Sequence, residues 1–180
     1  PTRILQAWDS KPVVFAGRDE ESLGTWLGIN AQGRFSAVTN LRRQETQSAD
    51  FLSRGVLVRD YLLTRSQPSD YLDHVQTDAH KYRGFNLLVG DLRSLVYYSN
   101  AAQRQRLLTP GIYSLSNAIL GTHWPKTEEA KVAFTKKISC RNPDLESFFE
   151  IMQERSAYAA HLLPNTGVGA ELEEALSPIF

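Results

Sequence analysis

The chain has 180 residues, 42% of them hydrophobic, with 20 basic and 20 acidic side chains and a net charge of zero, so one domain with a proper core is expected. That balance leaves no basic footprint for nucleic acid or for an anionic membrane surface. A single cysteine, Cys140, excludes an internal disulfide and a cysteine-built zinc site, and no apolar run is long enough to span a bilayer.

With no signal-peptide pattern, the composition reads as a soluble, cytoplasmic protein. The chain opens at Pro1-Thr2-Arg3 without a methionine and stops in the apolar Ser177-Pro178-Ile179-Phe180, so the domain is expected to continue at both ends.

In chain order, Val13–Ala16 is a short apolar strand followed by a charged, solvated loop over Ala16–Glu20. Trp26–Ile29 and Phe35–Thr39 are rich in aromatic and β-branched residues, and Asn30-Ala31-Gln32-Gly33 between them supplies turn chemistry; together they read as a β-hairpin. Its second strand ends in Thr39-Asn40-Leu41-Arg42, an amide and a guanidinium where a strand leaves a sheet, which suits a binding position. Gln44–Asp50 reads as a loop. Ser53-Arg54-Gly55 opens a helix with Leu57, Val58, Tyr61 and Leu62 on one face, and Pro68 starts a second, with Tyr71, Leu72 and Val75 aligned.

Phe85–Gly90 and Leu95–Ser99 are strands around a turn at Asp91–Ser94, and Gly111–Asn117 alternates like another strand. Helices are expected from Thr127, with Ala130, Phe134 and Ile138 on one side, and from Asp144, with Leu145, Phe148, Phe149 and Met152 as an apolar stripe. Pro164–Ala170 is a glycine-containing loop. Strands in hairpins and helices in pairs indicate an α+β fold with mainly antiparallel sheet.

The sequence lacks a phosphate-binding GK[ST] loop, an HExxH and a GxSxG. Cys140 falls at a helix end, where the dipole disfavours a thiolate, so it reads as buried or idle. Met152 reads as core. His74 and His80 have charged neighbours and read as surface residues, whereas His123-Trp124-Pro125 and Tyr158-Ala159-Ala160-His161 place an imidazole beside apolar residues. Asn40, Asn86 and Asn117 each lie at the end of an expected strand, where an amide N–H₂ suits a carbonyl, a carboxylate or a developing oxyanion.

Nine segments in order, among them Gly24-Thr25-Trp26-Leu27-Gly28, Thr39-Asn40-Leu41-Arg42, Ser53-Arg54-Gly55, Phe85-Asn86-Leu87-Leu88, Leu115-Ser116-Asn117 and Trp124-Pro125-Lys126, resemble the NRDE family, which is named for an Asn-Arg-Asp-Glu motif. The resemblance covers the whole chain. It implies an αββα sandwich like that of the N-terminal-nucleophile hydrolases, and a family segment with an N-terminal cysteine and the motif itself ahead of Pro1-Thr2.

It also implies a function: binding haem and moving it within the cell between donor and acceptor proteins, with mitochondrial association in a eukaryote. The alternatives it carries are a cysteine amidohydrolase, in which Asn40 and Asn117 match oxyanion positions, and an acyl-CoA or lipid carrier. On the haem reading, Trp26 lines an apolar pocket with Asn40, Asn86 and Asn117 as ligand contacts. Arg42 stands at its mouth for the propionates, and His123 or His161 is the single axial ligand to iron.

Overall fold

The computed structural model describes residues 1–42, 51–163, 166–167 and 169–179; the expected loop over Gln44–Asp50 and part of that from Pro164 lie outside them. The chain, expected as one domain, divides into two compact units. The first combines Pro1–Leu41 with Thr46–Pro110, and the second combines Arg42–Glu45 with Gly111–Phe180.

The first unit is built on a seven-stranded, wholly antiparallel sheet in sequential order: β1 (Thr2–Ala7), β2 (Val14–Asp19), β3 (Leu27–Asn30), β4 (Phe35–Asn40), β5 (Phe85–Gly90), β6 (Leu95–Ser99) and β7 (Arg104–Leu108). Two helices, α1 (Gly55–Leu63) and α2 (Pro68–Asp78), connect β4 to β5. The β3–β4 hairpin forms as expected, with Gly33 at φ 78° supplying the left-handed position of its turn.

Period-2 alternation sorts the sheet into two faces. Val14, Ala16, Ser36, Val38, Leu87, Val89, Val96 and Tyr98 are buried, in register with one another, and share the core with Leu57, Val58, Tyr61, Leu62 and Leu72 of the helices. The alternate positions Phe15, Leu27 and Ile29 are 42%, 58% and 50% exposed. At the helix face, Tyr61 Oη donates to the Gly90 carbonyl at 2.9 Å, and Asn30 Nδ2 donates to that of Leu62 at 2.6 Å, whereas the buried Tyr98 hydroxyl has no hydrogen-bond partner among the described residues.

In the second unit, α3 (Pro125–Ile138) begins with proline in its first turn, where the missing N–H costs nothing, and Thr127 Oγ1 accepts from the Trp124 N–H at 3.1 Å. It packs on α4 (Glu146–Met152) through Phe134 and Phe148, whose ring centroids are 4.9 Å apart. A short α5 (Ala170–Ala175) follows.

The α+β class and antiparallel pairing stand. Several local expectations are corrected. The charged segment after Ala16 is strand as far as Asp19, because Arg18 and Asp19 pair with Arg3 and Thr2 of β1. Both edge strands escape the pattern: β1 is exposed along its length, and β7 opens Arg104-Gln105-Arg106, charged as exposed edges commonly are. Gly111–Asn117 forms no strand, since alternation reports half-burial of an extended segment and not a ladder partner. The stripe on α4 is not core: Leu145, Phe149 and Met152 are 74%, 61% and 48% exposed. Cys140 is exposed too.

Candidate functional site

The turn-distal end of the β3–β4 hairpin meets the start of α1 through a backbone contact that only glycine allows. A Cβ on Gly24 would lie 2.4 Å from the Gly55 carbonyl carbon, and the Thr25 N–H donates to the Gly55 carbonyl at 3.1 Å. This close approach sets Trp26, two residues on, beside the helix start. The Trp26 carbonyl then accepts from the Val38 N–H at 2.9 Å, which ties it to β4. Asn40, at the end of β4, is paired with Phe85, and the next N–H, of Leu41, donates to the Gly84 carbonyl at 3.0 Å.

Between these elements lies a pocket of about 230 Å³ whose lining includes Trp26, Asn40, Phe51, Ser53, Arg54 and Arg83. Arg54 Nη1 donates to the Gly84 carbonyl at 2.9 Å, and the Arg83 guanidinium sits 5.6 Å from the centroid of the Phe51 ring. The two guanidinium groups thus reach one pocket from the start of α1 and from the segment before β5. Trp26 is 47% exposed and Leu52, also in the lining, 50%. A polar floor with two guanidinium groups and an apolar rim can take a ligand that is anionic at one end and apolar at the other.

Of the expected site residues, Trp26 and Asn40 come together here. Asn86 points to the other face of the sheet: it is buried, its Oδ1 accepts from Tyr97 Oη at 2.6 Å, and its Nδ2 donates to Thr39 Oγ1 at 3.2 Å. Asn117 belongs to the second unit, where its carbonyl accepts from the Arg42 N–H at 2.7 Å. Arg42 is not in the Trp26 pocket lining. Its Nη1 pairs with Glu173 Oε2 at 2.9 Å, with the side chains 11% and 6% exposed, and its guanidinium lies 5.5 Å from the Trp124 ring centroid. Thr166 donates to the other Glu173 oxygen through both its N–H and its hydroxyl. Burial raises the Glu173 carboxyl, but these bonds and the Arg42 guanidinium outweigh it and hold the group below its usual value. Lys126 stands near the same ring, 5.2 Å from its centroid, and donates to the Leu176 carbonyl at 2.9 Å; burial and Arg42 push its ammonium down.

His123 is 84% exposed and its Nδ1 lies 3.0 Å from Glu128 Oε1; His161 is exposed in a 3-10 turn, and neither lines the Trp26 pocket. No group of three or more potential metal ligands forms among the described residues. No helix among them is long and apolar enough to cross a membrane. Arg54 and Arg83 were missed in the sequence; the one signal was that each immediately precedes a glycine at an element boundary, Gly55 opening α1 and Gly84 just before β5.

Against known proteins, the family profile described as Transport and Golgi organisation 2 matches residues 1–180. A mouse Transport and Golgi organization 2 homolog is 35% identical over 147 residues, covering 77% of this chain and 53% of its own length. A bovine homolog is 36% identical over 199 residues, covering all of this chain and 68% of its own, and a human one is 36% identical over 148, covering 77% and 53%. The chain thus spans about half the length of the mouse and human relatives. Among solved structures, penicillin V acylase from Agrobacterium tumefaciens aligns with a TM-score of 0.45 at 12% identity, covering 93% of this chain and 65% of that one. On the full-length profile match and the bovine relative, this chain belongs to the Transport and Golgi organisation 2 family, which is also the NRDE family of the sequence resemblance.

Proposed function

We propose that the chain forms the anion-holding part of an intracellular carrier for an amphipathic small molecule, with haem the foremost cargo, received from donor proteins and passed to acceptors. The observation that carries this reading is the placement of Trp26 in one pocket with Arg54 and Arg83. Haem is an apolar plane with two carboxylates on one edge, which matches a π surface beside two guanidinium groups.

A pocket of about 230 Å³ falls below the roughly 300–1,000 Å³ that encloses a drug-sized ligand, so it takes the propionates and leaves the ring against Trp26 and Leu52 at the rim. Such a ligand is held at one edge and can leave, as delivery requires. A lipid or acyl-CoA head group would use the same cations.

The test is a haem titration of the purified protein followed in the Soret band. Trp26→Ala is expected to weaken binding by about tenfold, from loss of roughly 1–2 kcal/mol of aromatic contact. His123→Ala and His161→Ala complete the set as the candidate axial ligands. A Soret shift in either one assigns iron ligation to it, and no shift in both leaves the cargo held by charge and apolar contact alone. Unchanged affinity in Trp26→Ala would remove the pocket from haem binding.

One observation favours a second reading, an amidohydrolase: Asn40 lines this same pocket from a rigid strand end. If the protein hydrolyses an amide, Asn40→Ala should lower turnover by about 3 kcal/mol in the barrier, the usual loss for one oxyanion donor. A turnover that Asn40→Ala leaves intact would rule out that role.

A further inference from the structure

The larger cavity of the first unit lies at the other end of the sheet. In β4, Asn40 marks the Trp26 pocket and Phe35, paired with Gly90, marks the opposite end, about 17 Å away at ~3.4 Å per residue. There a cleft of about 820 Å³ opens between the β1–β2 connection, the β3–β4 turn, the segment after α1 and the β5–β6 turn. Its size lies within the range that holds a whole small molecule.

The charge of this cleft departs from that of the chain. Lys11, Arg34, Arg65 and Arg93 line it against a single acid, Asp91, so four cations less one carboxylate leave +3 where the whole protein sums to zero. Arg34 is fixed: its Nε donates to the Tyr61 carbonyl at 3.2 Å, its Nη2 to the Ser66 carbonyl at 2.6 Å, and its guanidinium stacks 4.1 Å from the Tyr61 ring centroid. Asp91 is occupied as well, accepting from the N–H groups of Arg93 and Ser94 and from the Ser94 hydroxyl.

Lys11, Arg65 and Arg93 differ from both. Each comes from a different loop, each is exposed, and the side chain of none has a hydrogen-bond or ion-pair partner among the described residues. Three cations on separate loops around one concave surface focus a positive field into it and supply donors suited to phosphoryl or carboxylate oxygens.

We infer that this cleft binds a small organic anion carrying two or more negatively charged groups, independently of the Trp26 pocket. Lys11, Arg65 and Arg93 close on the charged groups, and the fixed Arg34 forms the back wall.

The experiment is calorimetric titration of the full chain with tripolyphosphate, and separately with citrate, at low salt. It is repeated on the triple variant Lys11→Ala, Arg65→Ala, Arg93→Ala. Because these side chains make no hydrogen bond or ion pair among the described residues, the triple variant should unfold at the wild-type temperature. Its affinity for the anion should fall roughly tenfold or more, and wild-type binding should weaken steeply as salt is raised. Binding of tripolyphosphate alone identifies a phosphorylated ligand, and binding of both identifies a general polyanion site. Absence of binding by either anion to the wild type, or equal affinity in the folded triple variant, overturns the assignment.

Discussion

Glu173→Gln is expected to destabilise the second unit by about 3–5 kcal/mol, the cost of leaving one member of a buried ion pair without its partner. Arg42 is 11% exposed along its side chain and has Glu173 as its carboxylate partner, with the Trp124 ring on its other side. Thr166, which donates twice to the same carboxylate, loses its acceptor's charge as well. Urea denaturation of wild type and variant at pH 7 measures the difference.

The pH dependence has a definite sign. The Glu173 carboxyl is held below its usual value in the folded protein, so its contribution is fully present above the unfolded carboxyl's pKa of about 4.3 and is lost as pH falls through the lower folded value. The gap between wild type and Glu173→Gln should therefore be constant from pH 7 down to about pH 5 and narrow in stronger acid. A gap that stays constant down to pH 2, or one below 1 kcal/mol at pH 7, would contradict the pairing.

The second large effect is in the core of the first unit. Leu62 is fully buried on α1 and lies directly over Gly28 of β3: a Cβ built on Gly28 would come within 2.8 Å of Leu62 Cδ1 and 2.9 Å of Ala16 Cβ. Leu62→Ala removes the side chain that fills this space and should cost about 2–5 kcal/mol. Gly28→Ala overfills it and should cost about 1–3 kcal/mol. Because the two residues share one volume, the double variant should cost less than the sum of the single changes, by 0.5 kcal/mol or more. Strict additivity in denaturation experiments would show that helix and sheet do not meet at that point.

How far the sequence carried the description depended on sequence separation. The β5 and β6 boundaries, the hairpin and the α1 face were legible because each is written in a local period or turn. The edge strands β1 and β7 were not, since one-sided pairing with exposed residues leaves no alternation to read. Trp26 and Asn40 were legible as strand-end residues, but their neighbours were not: Arg54 reaches the pocket through the Gly24–Gly55 backbone contact and Arg83 through the β4–β5 pairing, approaches that no local spacing announces. Arg42 shows the same limit from the other side. At a strand end it reads as a ligand group, and its partner Glu173 lies 131 residues away.

On the carrier reading, Arg54 and Arg83 hold the carboxylates of an amphipathic cargo. The most direct measurement changes the ligand and leaves the protein as it is: affinities of the wild-type chain for haem and for haem dimethyl ester, whose propionates carry no charge, followed in the Soret band. A charge-assisted hydrogen bond is worth about 1.5–3 kcal/mol, so the ester should bind at least about tenfold more weakly than haem. Equal affinity for the acid and the ester would contradict the claim.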